Sequence, residues 1–138
     1  MILICTVGLP RSGKSTWAQS YGGKIPIVNP DSIRYALHGQ RYQALAEDFV
    51  WAIAKVMVRA LFAAGHSTVI VDATNTTRKR RDFWQDKGWN TEFQPIMVSE
   101  GRCIERANAA GDTGIVPIIE KMADQYEPLE TGEVRYAG

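Results

Sequence analysis

Cysteine is scarce in this chain: Cys5 and Cys103 are the only two in 138 residues, too few and too far apart for a disulfide framework or a cysteine-based metal site. Histidine is as rare, and neither His38 nor His66 has a catalytic partner visible in the sequence, so both read as loop residues. An excess of one charge is missing too. With 16 Lys and Arg against 15 Asp and Glu, the net charge of +1 excludes a broad polycationic surface. A nucleic-acid partner would have to be gripped by a local basic patch over a short footprint. No apolar run approaches 18 residues, and Met1 opens directly on an apolar stretch, with no basic segment or cleavage site. The expectation is a cytoplasmic protein with no membrane partner, in which Cys5 is a buried core thiol.

What the chain does contain is alternation. Residues 2–7 form a short apolar run ended by Gly8, the mark of a strand buried on both faces. A short helix is expected over 14–21, stopped by Gly22 and Gly23, then a strand over 25–29 and a helix over 31–37. Residues 44–64 read as a long helix, apolar nearly all round through Leu45, Phe49, Ile53, Val56, Met57 and Leu61, with Gly65 as its stop. A strand over 67–72 follows, then a helix capped by Thr77 and running to about 87, a strand over 91–98, and helices near 102–110 and 117–126. Repeats and low-complexity tracts are absent. The pattern implies one α/β domain over 1–138, with a parallel sheet of about four strands and helices on both faces. Such sheets bind ligands outside the carboxyl ends of their strands.

The informative residues fall on that edge. Gly8-Leu9-Pro10-Arg11-Ser12-Gly13-Lys14-Ser15, continued by Thr16, matches the phosphate-cradling G-x-x-x-x-G-K-[ST] loop between a strand and a helix. Glycine permits positive φ values that aim successive N–H groups into one concavity, and the following helix adds its positive dipole end. Lys14 can reach the β- and γ-phosphates of ATP, and the Ser15 hydroxyl can ligate Mg²⁺. Asp72, ending the apolar strand Val69-Ile70-Val71, is either an acid that holds Mg²⁺ or an ordinary turn residue. Asp31 either accepts the proton of an attacking hydroxyl or merely caps a helix; Arg34, one turn on, binds an acceptor phosphate or is a surface cation. Arg78-Lys79-Arg80-Arg81 opens a helix where cations oppose the macrodipole, which points to an external anion or else to a plain charged face.

Taken together, these segments resemble the phage polynucleotide kinase family of P-loop kinases across essentially the whole chain. The string from Gly8 to Ala18 resembles its P-loop, and Val28-Asn29-Pro30-Asp31-Ser32-Ile33-Arg34 its acceptor segment. Val71-Asp72-Ala73-Thr74-Asn75 with the Thr77–Arg81 stretch is similar to its strand-end motif and following helix. Cys103-Ile104-Glu105-Arg106 resembles the start of its lid, and Val116-Pro117, Met122 and Tyr126-Glu127-Pro128 its closing helix. The resemblance implies a P-loop kinase fold with a helical lid, Asp31 as general base, and Arg34, Thr74 and Asn75 on the acceptor side. It further implies Arg106 as the arginine that stabilises the transferring phosphoryl, with Arg102 second. Tyr42 is a candidate to stack on an acceptor base.

Two departures stand out. Where the family carries a second lid arginine this chain has Ala109, Ala110, Gly111 and Asp112, and residues up to Gly138 leave no room for the phosphatase domain that some family members append, so a kinase alone is expected. The leading expectation is an ATP- and Mg²⁺-dependent kinase acting on the 5′-hydroxyl of a nucleic acid. The alternatives are a kinase for a nucleoside, small metabolite or hydroxymethylated DNA base, and a nucleotide-binding regulatory module with feeble hydrolysis.

Overall fold

The computed structural model describes residues 1–41 and 44–138. Tyr42, and with it the expected base-stacking contact, lies outside the described residues. Four parallel strands, β1 (Ile2–Val7), β2 (Ile27–Val28), β3 (Thr68–Val71) and β4 (Asn90–Pro95), form one sheet in the order β2-β3-β1-β4. Six α-helices connect or follow them: α1 (Lys14–Gln19), α2 (Pro30–His38), α3 (Glu47–Ala63), α4 (Arg78–Asp82), α5 (Glu100–Ala109) and α6 (Val116–Gln125). The chain leaves β1 toward β2 on one side and later adds β4 on the other. The strand order therefore reverses beside β1, and the crevice outside its carboxyl end is the expected ligand position. The same order sets β3 against β1, with Cys5 opposite Val71, so the loop after β1 and Asp72 after β3 emerge side by side.

Apolar residues build both faces, as the alternation implied. Val50, Trp51, Ala54, Val58 and Phe62 of α3 pack on one face with Leu3, Cys5, Val69 and Val71. Ala18 of α1 covers Ile4 and Ile70 on the other, with Trp17, Tyr21 and Tyr136 around them. A third cluster, Cys103, Ala107 and Ile119, joins α5 to α6 and touches Leu9 of the phosphate loop. Among the described residues no helix is long and apolar enough to cross a membrane.

Several boundaries differ from the sequence expectation for identifiable reasons. The second strand shrinks to Ile27–Val28 because Pro26 has no N–H for the ladder and Asn29 is taken as the cap of α2, its side chain accepting from the amides of Asp31 and Ser32. Asp31 is therefore not the cap, and His38 is the last residue of α2 and not a loop residue. The long helix begins as a 3₁₀ turn over Ala44–Ala46 and becomes α-helical at Glu47. It ends in a Schellman arrangement, with the Gly65 amide on the Phe62 carbonyl and the His66 amide on Leu61. Gly65 has φ 105°, so it supplies the left-handed residue that this stop requires. The helix after Thr77 ends at Asp82, well short of 87, because the Trp84 carbonyl is taken by the indole of Trp89 and the hydroxyl of Thr91. The last strand stops at Pro95, short of 98, and α5 starts earlier than expected, at Glu100. Beyond α6, the tail returns along β4, where the amide of Phe93 donates to Val134 and that of Tyr136 to Phe93.

That tail carries Glu133, which is buried against Arg81 of α4. The Arg81 guanidinium donates to both Glu133 carboxylate oxygens, at 2.7 and 3.2 Å, and to the carbonyls of Asn75 and Pro128. Removing one partner strands the other as an uncompensated buried charge. Glu133→Ala is expected to cost about 3–5 kcal/mol in a urea unfolding experiment. Burial raises the Glu133 pKa, but the hydrogen bonds from Arg81 and the Glu130 amide and the charges of Arg81 and Arg78 outweigh it and carry it below the ordinary carboxylate value. The contribution of Glu133 is thus complete above the ordinary carboxylate range and is lost as pH falls through the lowered value.

Candidate active site

The loop Gly8–Ser15 closes tightly on itself. A Cβ on Gly8 would stand 2.7 Å from Ser12 Oγ and 2.9 Å from the Ile96 carbonyl, so only glycine fits there. Arg11 at φ 66° and Gly13 at φ 102° are left-handed, which turns the chain into a cradle. Gly13 caps α1 with no side-chain acceptor and no acid stands in the first turn, so the leading amides of α1 are left for an external anion. Lys14 folds back over the loop, its Nζ donating to the Leu9 carbonyl at 2.6 Å and lying 3.5 Å from Ser12 Oγ. Burial lowers its pKa, while the charges of Asp72, Cys103 and Asp31 pull the other way and only partly offset it. A desolvated ammonium of this kind favours a phosphate beside it.

Ser15 and Asp72 meet as the motif reading expected, with the hydroxyl donating to the carboxylate at 2.7 Å. Two oxygens at adjacent corners of an octahedron with Mg²⁺–O bonds near 2.05 Å lie about 2.9 Å apart, so the pair fits a Mg²⁺ site with little rearrangement. Among the described residues no group of three or more His, Cys, Asp or Glu could hold a metal. A Mg²⁺ ion held by the Ser15 and Asp72 oxygens would be completed by phosphate and water, the usual Mg²⁺ arrangement. Asn29 is the site residue that sequence reasoning passed over. Its amide donates to the same Asp72 oxygen at 3.2 Å while its carbonyl oxygen caps α2, so one side chain ties Asp72 to the helix bearing Asp31. An Asn directly before Pro30 at a helix start was the available signal.

Asp31 stands free of capping, 56% exposed, with one oxygen taking Arg34 at 2.6 Å. Arg34 is 12% exposed and its fork is already filled: Nε and NH2 donate to the two Glu47 oxygens at 2.8 and 2.6 Å. Thr74 lends its carbonyl to the Gly8 amide at the rim of the loop. Asn75, expected on the acceptor side, is buried and spent within the fold, donating to the Thr6 carbonyl and accepting from the Trp84 indole. The four-cation cluster does not act as one unit. Arg81 points inward, Arg78 pairs with Asp82 and Glu130, and Arg80 sits over Trp51 with its Cζ 3.8 Å from the ring centroid.

From the lid side, Arg106 donates to the carbonyls of Arg11 and Ser12 at 3.2 and 3.3 Å and so rests directly on the phosphate loop. Arg102 pairs with Glu105 at 3.2 Å on the exposed side of α5. Asp112, in the stretch where a second arginine was expected, clasps Arg11 and Arg41 at 3.0 Å each and so ties the segment after α5 to the phosphate loop and to the segment after α2. Beside the loop, Leu9, Ile96, Met97, Ala123 and Tyr126 line a mostly apolar cavity of about 140 Å³. Ligand pockets usually measure roughly 300–1,000 Å³, so this one cannot enclose a whole nucleotide.

The AAA domain family matches residues 3–117, from the first strand through the phosphate loop to the start of α6. The chain belongs to that family. This agrees with the P-loop resemblance carried by the motifs. Among solved structures it is similar to a chain of the Pnkp1/Rnl/Hen1 complex, at 26% identity and TM-score 0.68 over 76% of the present chain. The chain spans 38% of the length of that neighbour. It is also similar to a gluconokinase from Sinorhizobium meliloti 1021, at 20% identity and TM-score 0.60, covering 96% of this chain and 79% of that one. A third likeness is to the Mycobacterium tuberculosis APS kinase in complex with AMPPNP and APS, at 16% identity and TM-score 0.66, covering 97% and 86%. The fold is that of the P-loop kinases, with a four-stranded parallel sheet.

Proposed function

We propose that the chain is an ATP-dependent kinase that transfers the γ-phosphate to an alcohol, and that its acceptor is the 5′-hydroxyl of a polynucleotide. The observation that carries the kinase reading is the position of Asp31. It is an exposed carboxylate, not used as a cap, whose charge is felt at Lys14. A regulatory nucleotide binder has no need of such a group. In this reading the loop amides and Lys14 hold the phosphates, while Asp31 accepts the hydroxyl proton and orients the attacking oxygen. Ser15 and Asp72 would hold Mg²⁺, which would supply charge neutralisation to the phosphates. Arg106, already on the loop, adds positive charge where negative charge develops.

The polynucleotide acceptor is supported by the motif resemblance. It is also supported by the similarity to a chain of the Pnkp1/Rnl/Hen1 complex, whose 26% identity exceeds the 20% and 16% of the gluconokinase and the APS kinase. One observation favours a second reading, a kinase for a nucleoside or small metabolite: Glu47 fills the Arg34 fork that an acceptor phosphate would otherwise use. Transfer of labelled γ-phosphate from ATP, screened over 5′-hydroxyl oligonucleotides, nucleosides and sugars, separates them. The expected result is label on the oligonucleotide. Label on a nucleoside or sugar alone supports the second reading, and label on nothing but water defeats both.

A further inference from the structure

The acceptor wall of this site carries a cation that the motif resemblance does not point to. Arg34 is saturated by Glu47 and Asp31, Arg41 by Asp112, Arg78 by Asp82 and Glu130, and Arg81 by Glu133. Arg80 differs from all of these. No carboxylate of the described residues lies within ion-pair distance of it, and its side chain makes no hydrogen bond among them. Its guanidinium lies 3.8 Å from the centroid of Trp51 and 5.8 Å from that of Phe83. Arg34 sits 5.8 Å from the same Trp51 ring, so the two guanidinium groups share one aromatic platform beside Asp31.

We propose that Arg80, held over the Trp51 ring, binds a phosphate of the acceptor, a role that the sequence reading offers to Arg34 and, without choosing among them, to the Arg78–Arg81 stretch. The inference rests on the polynucleotide reading of the site. The ring contact restrains the guanidinium while none of its N–H groups is taken by a described residue, so a phosphate meets a fork that loses little freedom on binding. Half-burial strengthens any charge pairing there. Burial also lowers the Arg80 pKa, with Glu47 and Asp48 pulling it up and Arg34 pushing it down, so the cation gains from a bound anion. Arg34, by contrast, must give up Glu47 before it can take a phosphate in the same fork.

Three acceptors test this: a 5′-hydroxyl oligonucleotide, adenosine 3′-phosphate and adenosine. Arg80→Met keeps the stem over Trp51 and removes the charge; Arg80→Lys keeps the charge and removes the fork. Oligonucleotide binding is read by fluorescence anisotropy at several salt concentrations, and transfer to the two small acceptors by initial rates. Arg80→Met should weaken oligonucleotide binding about ten-fold and flatten the log–log salt slope by about 0.7, the release expected for one phosphate contact on a single strand. It should raise KM for adenosine 3′-phosphate while leaving adenosine and ATP unchanged. Arg80→Lys should retain the slope with weaker binding. Wild-type affinity and slope in Arg80→Met, with both lost in Arg34→Ala, would place the phosphate on Arg34 and overturn the proposal. Wild-type protein that transfers to adenosine yet binds no oligonucleotide overturns the polynucleotide reading together with it, and is told apart by the wild-type measurement alone.

Discussion

Asp31→Asn should lower turnover by roughly 10²–10⁴-fold, the usual worth of a positioned general base, with little change in melting temperature. Asn keeps the shape and loses the ability to accept a proton. The structure sharpens this test, because Asn29 and not Asp31 caps α2, so the substitution leaves the helix start alone. What it does remove is the ion pair to Arg34, and with Asp31 56% exposed such a pair is worth at most about 1 kcal/mol. Steady-state kinetics and a melting curve on the same preparation give the answer. Normal turnover with an early melt would reduce Asp31 to a surface partner of Arg34.

Lys14→Ala should cost on the order of 10²-fold or more in rate, since removing one preorganised charge from a phosphoryl-transfer site typically does. Within the protein its Nζ holds the Leu9 carbonyl and approaches Ser12 Oγ. Those contacts lie inside the loop itself, so the sheet and its core should survive. Circular dichroism should be unchanged while transfer is lost. A variant with a native spectrum and near-wild-type turnover would remove the P-loop from the mechanism altogether.

The two substitutions probe parts of the site that were legible to different degrees. The phosphate loop could be read because its information is contiguous. Gly8 is required by a close approach to Ser12 and Ile96, Gly13 by its left-handed φ, and Lys14 and Ser15 follow at once on the helix start. Asp72 was legible for a similar reason: an apolar strand ending in a carboxylate, beside β1 in a parallel sheet, brings that acid to the loop. Asn29 was missed although a helix start of Asn followed by Pro was in view. Its second contact, to Asp72, lies 43 residues away and no local pattern announces it.

The basic stretch after Thr77 shows the limit most clearly. Four consecutive cations look alike in sequence, yet three of them take different partners. Arg81 turns inward to Glu133, 52 residues on, Arg78 bridges to Glu130, and Arg80 lies on Trp51 of α3. Helical rotation of about 100° per residue sends neighbours to different faces, and what each face meets depends on elements elsewhere in the chain. Arg34 repeats the lesson, for its fork is filled by Glu47 from the following helix. By itself, the sequence determined the strand–helix alternation, the phosphate loop and the Ser15–Asp72 pair, because apolar periodicity and glycine geometry act over a few residues and one strand pairing. Only the tertiary structure decided which of these cations are paired within the fold. Charge pairing acts through space between distant segments, and burial, which sets its strength, exists only once the chain has folded.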